Sequence, residues 1–184
     1  MEVDMIFGDP YRFAIWVEHV PQWGCSYKNG LFHLVINGNL YPGELRTSTL
    51  STDLYEITDS DSALMSLPEN NKIFQLNTKD AFKELFSLAY PEASKEDEYP
   101  NQFFDYCIPS SNVSSFGGYF FAVASDASLR IIGGVTERLV KDRNEDKNIW
   151  EDIDEPLLED ITLPKDEIKK IMIDVIEYTN SLFK

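Results

Sequence analysis

The run from Gly118 to Val140 constrains this chain more than any other: Gly-Tyr-Phe-Phe-Ala-Val-Ala-Ser-Asp-Ala-Ser-Leu-Arg-Ile-Ile-Gly-Gly-Val-Thr-Glu-Arg-Leu-Val. Two apolar, β-rich segments flank the turn formers Ser125, Asp126 and Ser128, the pattern of an antiparallel hairpin. Tyr119 to Ala124 is apolar almost throughout, as a strand covered on both faces at the centre of a sheet would be. Arg130, Thr136, Glu137 and Arg138 carry its partner toward water. Gly133-Gly134 predicts a bulge or bend in the second strand. It is not a phosphate loop, because the Gly-x-x-x-x-Gly-Lys spacing is missing.

Upstream, Gly8-Asp9-Pro10 is a turn signal, and the strand after it places Phe13, Ile15 and Val17 on one face with Ala14, Trp16 and Glu18 on the other. A second strand, Gly30 to Ile36, meets Asn37-Gly38, the dipeptide suited to a two-residue type I′ turn, so Asn39-Leu40-Tyr41 pairs back. Leu45 to Leu50 suggests another short strand, and Thr52 to Met65 a loop with a helical turn. Asn77-Thr78 caps a helix of about 78–90 whose Phe82 and Phe86 face the core. Gln102 to Ile108 reads as a strand. Leu163-Pro164 opens a last helix of about 164–183 with the apolar stripe Ile168, Ile171, Met172, Val175, Ile176, Thr179 and Leu182. The expectation is a single α+β domain, 1–184, with a mostly antiparallel twisted sheet of five to seven strands and two main helices. A chain of 184 residues with 43% hydrophobic and 13% aromatic content is long and apolar enough to bury such a core.

Chemistry has little to draw on. His19 and His33 lack partners at ligand spacing, with His33 reading as a solvent-face or cross-strand residue, and Cys25 and Cys107 read as buried thiols rather than nucleophiles. Asp59-Ser60-Asp61 resembles the start of a calcium loop without its glycine and final glutamate, so turn chemistry is the better reading. No Gly-x-Ser-x-Gly, His-Glu-x-x-His, Cys-x-x-Cys or dinucleotide fingerprint occurs. No metal, cofactor or catalytic residue is therefore expected, although a spatial pair of carboxylates, as in a hydrolase, leaves no spacing to read. The opening residues carry no secretory signal and no apolar run could span a bilayer, which places the protein in the cytosol.

Charge says more. The net charge of −16 repels nucleic acid and anionic membranes and favours a basic partner. Between Asp142 and Asp160, nine acids face two bases, leaving −7 in nineteen residues around Ile149, Trp150, Ile153, Leu157 and Leu158. This is either a loop fastened to the core or an exposed binding segment.

Phe7-Gly8-Asp9-Pro10-Tyr11-Arg12-Phe13-Ala14-Ile15-Trp16, continued by Gly30-Leu31-Phe32, Ile36-Asn37-Gly38 and Leu45-Arg46-Thr47, resembles the start of bacterial immunity protein family forty-two. The resemblance implies a cytosolic, non-catalytic α+β protein encoded beside a polymorphic toxin, such as one of contact-dependent growth inhibition, that protects the cell by binding the toxin's C-terminal domain. It supplies no toxin-contacting residues. Those come from the charge pattern: Asp142, Glu145, Asp146, Trp150, Glu151, Asp152, Asp154 and Glu155, with the loop at Glu96, Asp97 and Glu98 second. A basic toxin, including a nuclease with its cationic cleft, would be met by such a surface. A housekeeping scaffold without a toxin partner, or an unrecognised hydrolase, are the alternatives.

Overall fold

The computed structural model describes residues 5–24, 27–142 and 147–184; Cys25, Arg143, Glu145 and Asp146 lie outside them, as does the extreme N-terminal tetrapeptide. Among the described residues ten strands run β1 (Ile6–Asp9), β2 (Phe13–His19), β3 (Asn29–Ile36), β4 (Asn39–Tyr41), β5 (Ser48–Thr49), β6 (Gly118–Ser125), β7 (Ser128–Val135), β8 (Glu137–Lys141), β9 (Asn148–Asp152) and β10 (Leu158–Pro164). The helices are α1 (Leu50–Thr58), α2 (Ala63–Ser66), α3 (Asn71–Phe74), α4 (Thr78–Ala89), α5 (Ser111–Ser114) and α6 (Lys165–Leu182). The class is α+β, as the sequence indicates, and α4 and α6 are its two long helices. The strands exceed the expected five to seven and divide among three sheets: β1-β2-β3-β4 with β5 on β3, β10-β7-β6, and the pair β8-β9.

The first sheet follows local chemistry. Asn37 and Gly38 both have positive φ, 52° and 84°, as the turn between β3 and β4 demands. Alternation then puts Phe13, Ile15, Val17, Phe32, Leu34 and Ile36 into the main core, all fully buried. The opposite face is not solvent. Trp16 and His33 are cross-strand partners, stacked at 5.3 Å, and His33 is buried rather than solvent-facing because the chain after β4 folds over it, Pro42 O lying 2.9 Å from Nδ1.

The second sheet is covered on both faces. Phe120, Ala122, Ala124, Leu129 and Ile131 share the main core with the first sheet and α6, whereas Phe121, Val123 and Ile132 pack with Ala81, Phe82 and Leu85 of α4. Its centre is β7, not β6 as the apolar run suggests, because β10 supplies the third strand. Nor is there a bulge at Gly133-Gly134: the β6–β7 register runs one to one from Gly118↔Val135 to Ser125↔Ser128. The glycines are needed for close approach, since a Cβ at Gly133 would meet the backbone of Tyr119 and the ring of Phe120, and one at Gly134 the carbonyl of Leu157. Gln102–Ile108 is likewise not a strand but a stretch with one bridge, Cys107↔Phe121. Thr52–Met65 forms α1 and α2 instead of a loop, and the strand expected at Leu45–Leu50 shrinks to β5.

Three carboxylates inside the body are structural. Glu159, buried on β10, accepts from Asn37, Asn39 and Tyr41, fastening the β3–β4 hairpin to the second sheet. Asp160 accepts both Nε and Nη2 of Arg130, and Arg130 also donates to the carbonyls of Phe74 and Leu76. Asp53 accepts from Ser48, Ser110 and the Asn112 amide, holding α1 against α5. Among the described residues no helix is long and apolar enough to cross a membrane.

Candidate functional site

The acidic segment resolves into two parts with different roles. Glu159 and Asp160 belong to β10 and are spent on the fold. Residues ahead of them form β9, which pairs with β8 from Glu137↔Asp152 to Lys141↔Asn148. This hairpin makes a sheet of its own, closed at its base by Ile153 N–H donating to Thr136 O and joined to the body by Thr136 N–H donating to Gly117 O.

Strand alternation gives the hairpin two faces. One carries the pairs Glu137/Asp152 and Leu139/Trp150; the other carries Arg138/Glu151, an ion pair of 3.0 Å, and Val140/Ile149. Leu139 is 53% exposed and Trp150 49%, so a large apolar pair stands in water with carboxylates around it. Glu151, Asp152, Asp154 and Glu155 are exposed, and Asp142 is half-buried, its amide donating to Lys147 O. Of the residues expected from the charge pattern, Trp150 and Asp152 share one face of the hairpin, Glu151 stands on the other, and Asp154 and Glu155 follow just beyond the closure at Ile153. Glu145 and Asp146 lie outside the described residues.

The second candidate, Glu96, Asp97 and Glu98, sits on the exposed loop after α4, where Ser94 Oγ accepts the Asp97 amide. The loop returns beside its start, Phe103 N–H donating to Leu88 O. Between this loop and the hairpin runs a wall of rings. Tyr90 meets Phe104 at 5.9 Å and Tyr119 at 5.0 Å, both edge to face, and Phe86 meets Tyr119 at 5.1 Å. Tyr119 in turn donates its hydroxyl to Glu137 of β8 at 3.2 Å. Phe82 and Phe86 serve the core, as their spacing predicts, but the same stripe extended through Tyr90 becomes surface.

Below that wall opens a groove of about 560 Å³ that sequence reasoning misses. Tyr55, Asp59 and Asp61 come from α1 and the turn after it, Tyr90 from the end of α4, Phe104 and Cys107 from the connecting stretch, Val113 from α5, and Gly118 to Phe121 from β6. Burial, helped by the charge of Asp105, pushes the Cys107 thiol up to about 12, and burial, with Cys107 and Tyr119 nearby, does the same to the Tyr90 phenol. Tyr119 is raised by burial and then by Glu137. Such a thiol is a poor nucleophile, and among the described residues no histidine lines the groove. Nor, among those residues, is any group of three or more His, Cys, Asp or Glu placed to hold a metal.

No curated relative matches the chain. A solved structure, the "Crystal structure of CdiI from Burkholderia dolosa AUO158", superposes with a TM-score of 0.68 at 24% identity over 95% of this chain and 99% of that one, a likeness of fold. The family model described as immunity protein 42 matches residues 5–178, almost the full length. The chain belongs to the immunity protein 42 family.

Proposed function

We propose that this immunity protein binds its cognate toxin domain in the cytoplasm and neutralises it by occlusion, without catalysis, using the β8–β9 hairpin as the principal contact. The observation that carries the reading is the hairpin itself: an apolar pair, Leu139 and Trp150, held half-exposed by a ladder that adds no described residue to either core cluster, with Asp152 on the same face, Glu151 on the other, and Asp154 and Glu155 just past its base. A strand pair that adds no described residue to either core cluster gains little from folding alone, whereas a tryptophan desolvated on binding among charges is what a tight interface uses. Acidic neighbours draw in a cationic toxin, such as a nuclease whose cleft binds phosphates, and then fix its register. The likeness of fold to a CdiI protein favours a contact-dependent inhibition system as the setting.

The test is co-expression with the C-terminal domain of the toxin encoded beside this chain. The parent should restore growth and co-purify with that domain. Replacing residues 138–151 with a short Gly-Ser turn, while keeping the Thr136–Ile153 closure, should abolish both. Full protection by the turn variant would overturn the hairpin as the contact.

A further inference from the structure

We propose that the groove between α1, α5 and the edge of β6 receives an arginine side chain projecting from a loop of the toxin. The proposal rests on the toxin-binding reading above and names a second contact within it.

The groove offers each part of an arginine a partner. Its walls are the rings of Tyr90, Phe104 and Tyr119, which take the aliphatic stem and stack against the planar guanidinium. Its rim carries Asp59 and Asp61. Asp59 Oδ1 accepts the Asp61 amide, and the Asp61 carboxylate is exposed. Deeper in the lining lies Ser62, 1% exposed, whose hydroxyl has no hydrogen-bond partner among the described residues. A buried hydroxyl left unpaired is unfavourable, and a guanidinium, with five donors in a fixed fork, can serve it and a carboxylate together. Among the described residues no basic side chain lines the groove, so the negative potential of the rim is unopposed there.

Two further features favour a protein loop over a free small molecule. The space, about 560 Å³, exceeds what one side chain fills, leaving room for the backbone that delivers it. Ile108 N–H donates to the Phe120 carbonyl next to the Cys107↔Phe121 bridge, but from the Phe120 N–H back to Gly118 the groove side of β6 has no neighbouring strand among the described residues, so main-chain groups can approach that short edge. Tyr119 lines the groove with its ring while its hydroxyl is held by Glu137 of the hairpin, so one toxin surface can engage both sites.

The experiment uses two probes on the full chain. In an amide NMR titration, millimolar N-acetyl-arginine methylamide should shift the resonances of Ser62, Tyr90, Tyr119 and Phe120. Norleucine and lysine analogues should do so far less, and Asp61→Asn with Ser62→Ala should abolish the response. The same double variant, which breaks no hydrogen bond of the fold, should weaken binding of the neighbouring toxin domain at least tenfold. Silence of the groove toward the arginine probe, or an equal response to the norleucine or lysine analogue, overturns the assignment. So does parental toxin affinity in the double variant. If the hairpin replacement still abolishes toxin binding in that case, the proposed function stands without the groove; if neither change weakens binding, both fall.

Discussion

The Tyr119 hydroxyl donates to Glu137 Oε2 at 3.2 Å, a side-chain link between the inner sheet and the hairpin that projects from it. The two residues belong to different sheets, β6 in one and β8 in the other. Tyr119→Phe should cost about 1 kcal/mol or less of global stability, the size of a partly exposed hydrogen bond. It should also increase amide exchange across Leu139 to Lys141 in a hydrogen-exchange measurement. Unchanged protection there would mean that the backbone closure at Thr136 alone orients the hairpin.

Trp150→Ala should leave the melting temperature nearly unchanged, because the ring is half exposed and faces Leu139 across the ladder rather than the core. Toxin dissociation should accelerate about thirtyfold, the equivalent of roughly 2 kcal/mol for a hot-spot residue. Surface plasmon resonance with the toxin domain reads the rate directly.

Asp152→Lys with Asp154→Lys should act on the other rate. Exposed carboxylates steer encounter through long-range attraction, screened over about 8 Å at physiological salt. The association rate should fall about tenfold or more at low salt, and its salt dependence should flatten, with dissociation changed far less.

The Arg130–Asp160 pair gives a pH signature. Burial alone would raise the Asp160 carboxyl, but hydrogen bonds from Arg130 and Thr78, together with the Arg130 charge, outweigh it and hold the pKa below the ordinary value. A depressed folded pKa contributes stability above the unfolded pKa of about 3.9 and loses it as pH falls through the folded value. Asp160→Asn, which leaves Arg130 without its charge partner, should cost about 3 kcal/mol at pH 7. In denaturant titrations the gap from the parent should narrow only below about pH 4. A gap that already closes near pH 6 would mean that the Asp160 carboxyl is not held below its ordinary value.

Cys107 should resist alkylation. With its pKa pushed up to about 12, the thiolate is scarce at pH 8, and iodoacetamide should modify it about a thousandfold more slowly in the native protein than in urea. Peptide mapping separates its signal from that of Cys25.

What is legible in the sequence is local. The Asn37-Gly38 turn, the β6–β7 hairpin and the helices α4 and α6 depend on residues a few positions apart, and each forms where its pattern lies. Elements whose support is distant escape such a reading. Helix α1 buries Leu50, Leu54 and Ile57, but its Ser, Thr and Asp residues favour turns until the Ser48, Ser110 and Asn112 donors fix Asp53. Gly133-Gly134 resembles a bulge because the atoms that forbid a Cβ, in Tyr119, Phe120 and Leu157, belong to other stretches of chain. The candidate site divides in the same way. Trp150 and its acids are readable as a local excess of charge around an apolar residue, yet the same count includes Glu159 and Asp160, whose partners lie up to 122 residues away. The groove leaves no trace in the sequence, since its walls come from several separated stretches of chain.

The closure of the β8–β9 hairpin on itself, through Thr136 and Ile153, has a bearing on how toxin specificity can change. Among the described residues between Arg138 and Glu151 none belongs to either core cluster, so that stretch can be rewritten while the scaffold is inherited intact. A lineage facing a new toxin can then revise its recognition finger one residue at a time, and a chimaera carrying a relative's residues 138–151 should fold as this chain does while taking the relative's toxin.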